Sequence, residues 1–572
     1  MCTSGVYQLY TNNQSKRRIT DIMKIETLSS LAKIYPDRDL DSKYFQKEGC
    51  MLQNEAFSFQ AAFKLDDNDT QIKTAIGCII DIPDELKPYT RVKAIDYVPC
   101  DYTLYPSNLA LSDHPEPGLF PDILRDIPTI FWAYSNSWRG IFITVDAQNA
   151  LLTPGTYTIK ISFKQSSTYT KEFRIEVLEA TLPKQSIPVT NWFHTDCLCN
   201  YYNVEFNSAE YWRITENFAK AAVHYGVNML LMPVFTPPLD TAVGGERRTI
   251  QLIDVYKDGI KYSFGFKKLR KWVKMCKRAG VEYYEVSHLF TQWGCKYAPK
   301  VMATENGEYK RIFGWDTNGH GSEYLGFLEQ LLPELITELK KLGIFKKCYF
   351  HVSDEPTAEM KDDYSICAKF LRQYVSPDRI FDALSDISFY KEGLISCPVV
   401  GLDHVHRFIE EKVPTIWGYY CCGHDMTSNR FLALPAGQNR MLGLQLYKFN
   451  IKGFLQWGFN FYNSHMSLEQ IDPYGSSTGG GWVPGGDTFV VYPGADGNPV
   501  ISIRLEVFRE ALQDMRALEA LEAKYSAKMS KKKAHKEIIS KLGLDEMTFL
   551  KFNCDGKYLV ELREKINRLL TE

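Results

Sequence analysis

The chain has 572 residues, 45% of them hydrophobic and 24% charged, which is the composition of a soluble globular protein with two or more domains. Its formal net charge of −2 gives no electrostatic basis for binding nucleic acid or an anionic membrane. No stretch approaches the roughly 18 continuous apolar residues of a membrane span, so we predict neither a nucleic-acid partner nor membrane insertion.

The first 183 residues have the pattern of an all-β domain. Alternating or β-branched runs occur at 57–63, 74–80, 91–98, 140–145, 155–161 and 173–177, with turn residues such as Thr153–Gly155 between them. Several short strands separated by proline and glycine turns, without a long helix, predict an N-terminal β-sandwich domain over residues 1–183.

The extreme N-terminus has no basic segment followed by an apolar run, so no signal peptide is recognisable. The 14 cysteines include no second pair at zinc-ribbon spacing. We therefore expect a cytoplasmic protein with reduced thiols, with a secreted protein whose signal has been removed as the alternative.

From residue 184 onward, strand-like and helix-like segments alternate. The strand-like segments are 190–196, 228–235, 281–290, 348–353, 379–385, 398–402, 415–420 and 453–460. Eight strands alternating with helices predict a (β/α)8 TIM barrel over residues 184–524, followed by a short C-terminal helical extension over 525–572. Three loops after strands are long, at about 236–265, 291–321 and 461–501, and the glycine-rich last one is a candidate lid.

The predicted strands end in polar or aromatic residues, and the fourth ends in two adjacent carboxylates, Asp354 and Glu355, before Pro356. Active sites of barrel enzymes lie at these strand ends, and a carboxylate pair there suggests a glycoside hydrolase. Like-charge repulsion between neighbours raises one pKa and so separates a protonated acid from an ionised partner. Neighbours on an ideal strand point to opposite faces, however, so the chain must bend at 354–355. The alternative is a pair that merely favours the N-terminus of the next helix.

The ordered motifs around this pair resemble glycoside hydrolase family 123, whose members are β-N-acetylgalactosaminidases. The motifs are Asn54-Glu55 with Ser58-Phe-Gln60, Pro117-Gly-Leu-Phe-Pro-Asp122, Ser353-Asp-Glu-Pro356, Gln456-Trp457, Gly486–Gly494 and Ser502–Glu506. They cover the chain from about residue 50 to 522.

The resemblance implies an exo-acting, retaining enzyme that releases terminal β-linked N-acetylgalactosamine from a glycolipid or oligosaccharide, without a cofactor or metal. In such enzymes the 2-acetamido oxygen of the substrate attacks the anomeric carbon and forms an oxazoline, so no enzymic nucleophile is needed. Glu355 would be the general acid and base, and Asp354 would orient and stabilise the acetamido group.

Other strand-end residues are candidates for binding the sugar. Trp457 is expected to form a floor, and one of Tyr419 and Tyr420 is expected to face inward and donate to the acetamido oxygen. The candidates for binding ring hydroxyls are Asn191, His194, Asp196, Asp386 and Asn460, each with a supporting role as the alternative.

Two other functions are compatible with the sequence. One is a metal-dependent TIM-barrel hydrolase built on His194 and Asp196, with further ligands among His288, His351, Asp403, His404, His406 and His424. Against a metal site, the first-strand pair is His-x-Asp rather than His-x-His, and His351 lies three residues before the strand end, where its side chain is expected to point into the helix layer. The other is a non-catalytic carbohydrate-binding protein on a barrel scaffold.

Overall fold

The computed structural model describes residues 23–65, 73–128, 130–164 and 168–572, with the backbone alone at residue 74. The N-terminal residues from which a cytoplasmic location is expected lie outside these ranges. The first 178 residues contribute strands β1 (Met23–Ser29), β2 (Glu48–Leu52), β3 (Ala56–Leu65), β4 (Lys73–Asp81), β5 (Thr90–Cys100), β6 (Gly118–Asp126), β7 (Phe131–Tyr134), β8 (Arg139–Asp146), β9 (Gly155–Lys164) and β10 (Thr168–Leu178).

These strands form two five-stranded sheets, in the orders β1-β3-β8-β5-β6 and β2-β10-β9-β4-β7. Alternation along the strands places apolar side chains on one face, as in β9, where Ile159, Ile161 and Phe163 are fully buried. Residues of both sheets share one apolar core, in which the rings of Phe59 and Phe173 stack with centroids 3.9 Å apart. The predicted β-rich N-terminal region is confirmed.

The rest of the chain alternates strands and helices. Up to residue 350 these are β11 (Val189–Asn191), α1 (Thr195–Tyr201), α2 (Ala209–His224), β12 (Met229–Met232), β13 (Asp254–Asp258), β14 (Lys261–Gly265), α3 (Lys267–Ala279), β15 (Tyr283–Val286), β16 (Val301–Glu305), β17 (Glu308–Phe313), α4 (Ser322–Lys341) and β18 (Cys348–Phe350). Beyond it they are α5 (Lys361–Leu371), β19 (Phe381–Ala383), α6 (Ser388–Lys391), β20 (Cys397–Gly401), α7 (Val405–Glu410), β21 (Trp417–Tyr419), α8 (Ala436–Lys448), β22 (Phe454–Gln456), β23 (Val491–Pro493), β24 (Pro499–Ile501), α9 (Ile503–Ser526), α10 (Lys531–Leu542) and α11 (Gly556–Thr571).

Eight of these strands build a nearly closed parallel sheet in the order β18-β15-β12-β11-β22-β21-β20-β19. A parallel bridge between Phe350 and Ile380 joins the two ends of this order. The predicted succession of eight parallel strands is therefore confirmed, although seven of the strands are shorter than their predicted runs and β20 has the same length as its run. Because parallel strands end at the same edge, the loops after them meet on one face.

The first predicted strand needs a correction. It was expected to continue to Asp196, but β11 ends at Asn191, and Asp196 lies in the first turn of α1. The amide of Asn460 binds both backbone groups of His194, accepting from its N–H (2.9 Å) and donating to its carbonyl (3.0 Å). This clamp turns the chain out of the sheet, and a carboxylate is favourable in the helix turn that follows.

The long loops carry small sheets of their own over the barrel face. Hairpin β13–β14 follows β12, hairpin β16–β17 follows β15, and together they form a four-stranded sheet in the order β14-β13-β16-β17. The loop after β22 contains the β23–β24 pair. Within the described residues, no helix is long and apolar enough to cross a membrane.

Candidate active site

The carboxylate pair sits on a sharp bend after β18. Glu355 has a φ of +43°, a value that costs a non-glycine residue backbone strain. Two backbone hydrogen bonds hold it there, from Glu355 N–H to the Ala383 carbonyl and from Trp293 N–H to the Asp354 carbonyl, each 2.9 Å long. The expected bend is thus present, and it turns both carboxylates into one pocket.

The pocket opens at the carboxyl ends of the barrel strands and has a volume of about 660 Å³ including its mouth, a size that suits a small ligand. Aromatic rings supply much of its wall. Its lining consists of Trp192, His194, Leu239, Asp240, Gln292, Trp293, Asp354, Glu355, Ala383, Tyr419, Cys421, Cys422, Leu455, Trp457 and Trp482.

The two carboxylates of the pair have different surroundings. The Tyr419 hydroxyl donates a 2.7 Å hydrogen bond to Glu355 Oε1. Among the described residues, none donates a hydrogen bond to the Asp354 carboxylate. Burial and the adjacent Glu355 charge raise the pKa of Asp354 well above its ordinary value, because both disfavour its ionised form. With the pocket empty, Asp354 therefore holds a proton more readily than an ordinary aspartate.

Tyr419 and Tyr420 point in opposite directions, as alternation along β21 requires. Tyr419 lines the pocket, and burial together with the Glu355 charge raises the pKa of its hydroxyl well above the ordinary value. Tyr420 packs in the outer layer against Phe454, with ring centroids 5.1 Å apart. Of these two sequence candidates, only Tyr419 reaches the pocket.

Trp457 lines the pocket, where the sequence placed it. Its indole N–H donates to Asp487 Oδ2 at 2.8 Å, and its ring lies 5.8 Å from that of Trp482, on the glycine-rich loop. Asp487 is fully buried, which raises its pKa to about 6. The buried carboxylate thus holds the indole of a residue that lines the cavity.

His194 also lines the pocket, whereas Asp196 does not. The imidazole Nε2 lies 2.9 Å from the Trp457 carbonyl and Nδ1 lies 3.2 Å from an Arg247 nitrogen. Burial and the Arg247 charge lower the pKa of His194 to about 4, so the ring is neutral. Asp196 pairs with Arg247 through two hydrogen bonds of 2.7 and 2.8 Å, and both side chains are 3% exposed. Asp196 thus supports the pocket from behind.

Three further sequence candidates lie outside the pocket. Asn191 accepts a 3.2 Å hydrogen bond from Arg430, Asn460 holds the backbone of His194, and Asp386 accepts from the Ser388 N–H at the start of α6 (2.9 Å). Each has the supporting contact that was the alternative to binding ring hydroxyls.

A buried charged cluster lies inside the barrel below the pocket. Glu285 accepts hydrogen bonds of 2.6 Å from the Thr190 hydroxyl and from the indole N–H of Trp192, which lines the pocket. His351 contacts Glu285 through Nε2 (2.6 Å) and Asp382 through Nδ1 (3.1 Å). Burial lowers the pKa of His351, but the two carboxylates outweigh it and raise the value to about 9. His351 thus points into the barrel, and the expectation that it faces the helix layer was wrong.

The histidines proposed as metal ligands separate into different places. Ligand atoms of His288, His351 and Asp382 lie within 4.8 Å of one another, all fully buried. Asp403 contacts His404 (2.7 Å) and His424 (3.2 Å) at another part of the rim. His194 and Asp196 meet Arg247, so the pair on which the metal hypothesis was built binds a guanidinium.

Several pocket residues were missed by the sequence reasoning. Asp240 and Gln292 lie in long loops, where no periodic pattern indicates direction. Glu285, in the cluster below the pocket, had a readable signal, since it lies inside the mainly apolar run from 281 to 290, where Glu282 is the other charged residue. A buried charge is rare unless it is paired or functional.

An aromatic pocket with two carboxylates at the strand ends of a parallel barrel sheet is the arrangement of a glycoside hydrolase. The sequence matches the profile of "Glycoside hydrolase 123, catalytic domain" over residues 192–521. Because this match spans more than half of the chain, the protein belongs to glycoside hydrolase family 123, and the resemblance noted from the motifs is confirmed. Among curated proteins, none matches the sequence.

The fold is similar to that of a family 123 glycoside hydrolase from Clostridium perfringens, whose structure is described in terms of glycolipid glycan hydrolysis. The TM-score is 0.72 at 14% identity, covering 96% of this chain and 99% of that one. A family 39 glycoside hydrolase from Bacteroides cellulosilyticus WH2 gives a TM-score of 0.32 at 8% identity, over 82% of this chain and 81% of its own. A Bacteroides ovatus GH5 xyloglucanase gives 0.28 at 9% identity, over 82% and 98%.

Proposed function

We propose that the protein is an exo-acting, retaining hydrolase that releases terminal β-linked N-acetylgalactosamine with help from the 2-acetamido group of its substrate. The observation that carries this proposal is the difference between the two carboxylates. Glu355 has a hydrogen-bond donor in Tyr419, whereas the Asp354 carboxylate faces the same pocket without a donor from any residue that the structure describes. An acetamido N–H is the donor that Asp354 lacks.

The first half of the reaction needs no enzymic nucleophile. The acetamido oxygen attacks C1, the bond from C1 to the glycosidic oxygen breaks, and Glu355 gives its proton to the departing oxygen. Positive charge then develops on the oxazolinium ring, whose N–H donates to the Asp354 carboxylate. In the second half, Glu355 takes a proton from the water that attacks C1, the ring opens, and the sugar leaves with its configuration retained.

Substrate binding shifts the proton of the carboxylate pair from Asp354 to Glu355, which has to donate it to the glycosidic oxygen. In the empty pocket, burial and the Glu355 charge favour a proton on Asp354. An N–H donor from the sugar favours the ionised form of Asp354 instead. The single proton of the pair then resides on Glu355, next to the glycosidic oxygen. A substrate without the acetamido N–H would leave the proton on the wrong carboxyl.

The remaining parts of the proposal concern the setting of the reaction. The aromatic wall suits the apolar face of a sugar, and the glycan is a glycolipid or oligosaccharide, as with the glycolipid glycans named for the Clostridium perfringens protein. We take residues 1–183 as a β-sandwich, 184–524 as a (β/α)8 barrel and 525–572 as a helical extension, in a cytoplasmic protein.

The test is hydrolysis of an aryl β-N-acetylgalactosaminide by the wild type and by Glu355→Gln. The wild type should release the aryl alcohol, and Glu355→Gln should lose most of that activity because it cannot donate the proton. Glu359→Gln, an exposed carboxylate in the next turn, is the matched control and should retain activity. Equal activity in the wild type and Glu355→Gln would falsify the proposal.

Two inhibitors complete the test. A thiazoline mimic of the oxazoline should compete with the substrate, and failure to inhibit would exclude an oxazoline intermediate. Activity that is lost to EDTA and restored by zinc would instead support a metal-dependent hydrolase.

A further inference from the structure

Two polar side chains on one wall of the pocket contact each other but leave hydrogen-bonding groups unused. Asp240 lies in the loop after β12 and Gln292 in the loop after β15. The Asp240 N–H donates to Gln292 Oε1 at 2.6 Å. The Ser467 hydroxyl, from the loop after β22, donates to the Asp240 carbonyl at 2.7 Å. Three loops therefore hold this pair in position.

One polar atom on each side chain has no partner in the part of the chain that the structure describes. Within those residues, Asp240 Oδ2 and Gln292 Nε2 are buried without a hydrogen bond, and both residues line the pocket. Burial raises the pKa of Asp240 to about 6. Asp240 also has a φ of +41°, a strained conformation that persists only where the surroundings enforce it. A buried acceptor such as Asp240 Oδ2 and a buried donor such as Gln292 Nε2 are unfavourable while they stay unpaired. A hydroxyl group both donates and accepts, so it can pair with either atom.

Four other polar side chains of the pocket already have partners within the protein. The Trp192 and Trp457 indoles donate to Glu285 and Asp487, the His194 ring contacts a carbonyl and Arg247, and the Tyr419 hydroxyl donates to Glu355. Binding a sugar hydroxyl through any of these would break an existing hydrogen bond. Asp240 and Gln292 can bind one without that loss.

We infer that Asp240 and Gln292 bind hydroxyl groups of the terminal sugar and thereby contribute to substrate selection. This inference rests on the proposed function. With C1 at Glu355 and the C2 acetamido group at Asp354, the hydroxyls on C3, C4 and C6 remain for the other walls. A hydroxyl that reaches this wall supplies the hydrogen bonds that Asp240 Oδ2 and Gln292 Nε2 lack among the described residues. Galacto and gluco sugars differ at C4, so a contact from this wall to the C4 hydroxyl would also discriminate between them.

The test combines conservative variants with deoxy substrates. Asp240→Asn should lower kcat/KM for the aryl β-N-acetylgalactosaminide by about 10- to 100-fold, as expected for losing a hydrogen bond to a charged group. Gln292→Glu keeps an acceptor for the Asp240 N–H, removes the free donor, and should give a loss of the same order. Asp258→Asn, on the exposed β13–β14 hairpin, is the matched control.

The 3-, 4- and 6-deoxy forms of the substrate identify the bound hydroxyl. For one of them, wild type and Asp240→Asn should have nearly equal kcat/KM, because the hydrogen bond is absent from both. Thermal unfolding and affinity for the thiazoline mimic show whether each variant is folded with a formed site.

The outcomes separate the two proposals. A wild type that hydrolyses no 2-acetamido glycoside overturns the proposed function and this inference with it. An active wild type whose Asp240 and Gln292 variants stay within threefold overturns this inference alone. This inference alone is also overturned if the Asp240 and Gln292 variants lose activity by the same factor on the parent substrate and on all three deoxy substrates.

Discussion

Replacing Asp354 by asparagine is expected to stabilise the protein at neutral pH while inactivating it. The Asp354 carboxyl lies beside Glu355 without a donor, so burial and like charge raise its pKa well above 3.8. A carboxyl with a higher pKa in the folded state binds its proton more tightly there. Its presence therefore costs stability as the pH rises from the unfolded value near 4 through the folded value. Asparagine has nearly the same shape and does not ionise.

The size of the effect follows from the size of the shift. One pKa unit corresponds to about 1.4 kcal/mol, so at pH 8 Asp354→Asn should increase the free energy of unfolding by more than about 1 kcal/mol. At pH 5 more of the wild-type protein carries this proton than at pH 8, so the gain should shrink. In the same variant kcat should fall by about 100- to 1,000-fold, the usual cost of losing one preorganised electrostatic contact to the developing charge.

Urea-induced unfolding at pH 8 and pH 5 measures the stability, and aryl β-N-acetylgalactosaminide hydrolysis measures the activity. Asp258→Asn, on the exposed hairpin, should show no pH-dependent gain. The reasoning is refuted if Asp354→Asn is less stable than the wild type at pH 8, or if its gain is the same at both pH values.

Three further predictions concern the surroundings of the pair. Tyr419→Phe removes the 2.7 Å hydrogen bond to Glu355 and should lower kcat/KM about 10- to 100-fold. Unchanged activity in this variant would contradict the role of the hydrogen bond. Arg247→Met leaves Asp196 buried and unpaired, so urea unfolding should show a loss of about 3–5 kcal/mol, partly recovered in the double variant with Asp196→Asn. His351 has a pKa raised from 6.5 to about 9, so its stabilising contribution is full below pH 6.5 and is lost as pH rises through 9. His351→Gln should therefore flatten the fall in stability between pH 6.5 and 9, and a wild-type profile that is already flat there contradicts the argument.

Two of the motif residues that pointed to the family, Asp122 and Glu55, hold the N-terminal region to the rest of the chain. Asp122 forms hydrogen bonds of 3.0 and 2.9 Å with Arg504 at the start of α9, and the Tyr492 hydroxyl donates to it at 2.7 Å. Glu55 pairs with Arg563 of α11. These charges are buried, and breaking such a pair costs several kcal/mol. The family motifs in this sequence therefore include residues of an interface between regions of the chain as well as residues of the active site.

The alternation of strands could be predicted because it follows from local periodicity. Each of the eight predicted apolar runs overlaps a barrel strand, although β11 and β20 begin one residue before their runs. Strand ends were less predictable, since side-chain clamps such as Asn460 on His194 come from residues far apart in sequence. Periodicity established that Tyr419 and Tyr420 point to opposite faces, but only the packed sheet showed which one faces the pocket.

By itself the sequence determined the family, the order of eight strands and the Asp354–Glu355 pair at the end of the fourth. Those features are carried by contiguous residues and by the period of the hydrophobic pattern. Tertiary structure alone decided which polar side chains meet. It gave Glu355 a donor from β21 and left Asp354 without one, paired Asp196 with Arg247, and brought Asp240 to Gln292. These contacts join residues about 50 or more positions apart, where neither spacing nor propensity carries information, because loop geometry and the closure of the barrel determine them.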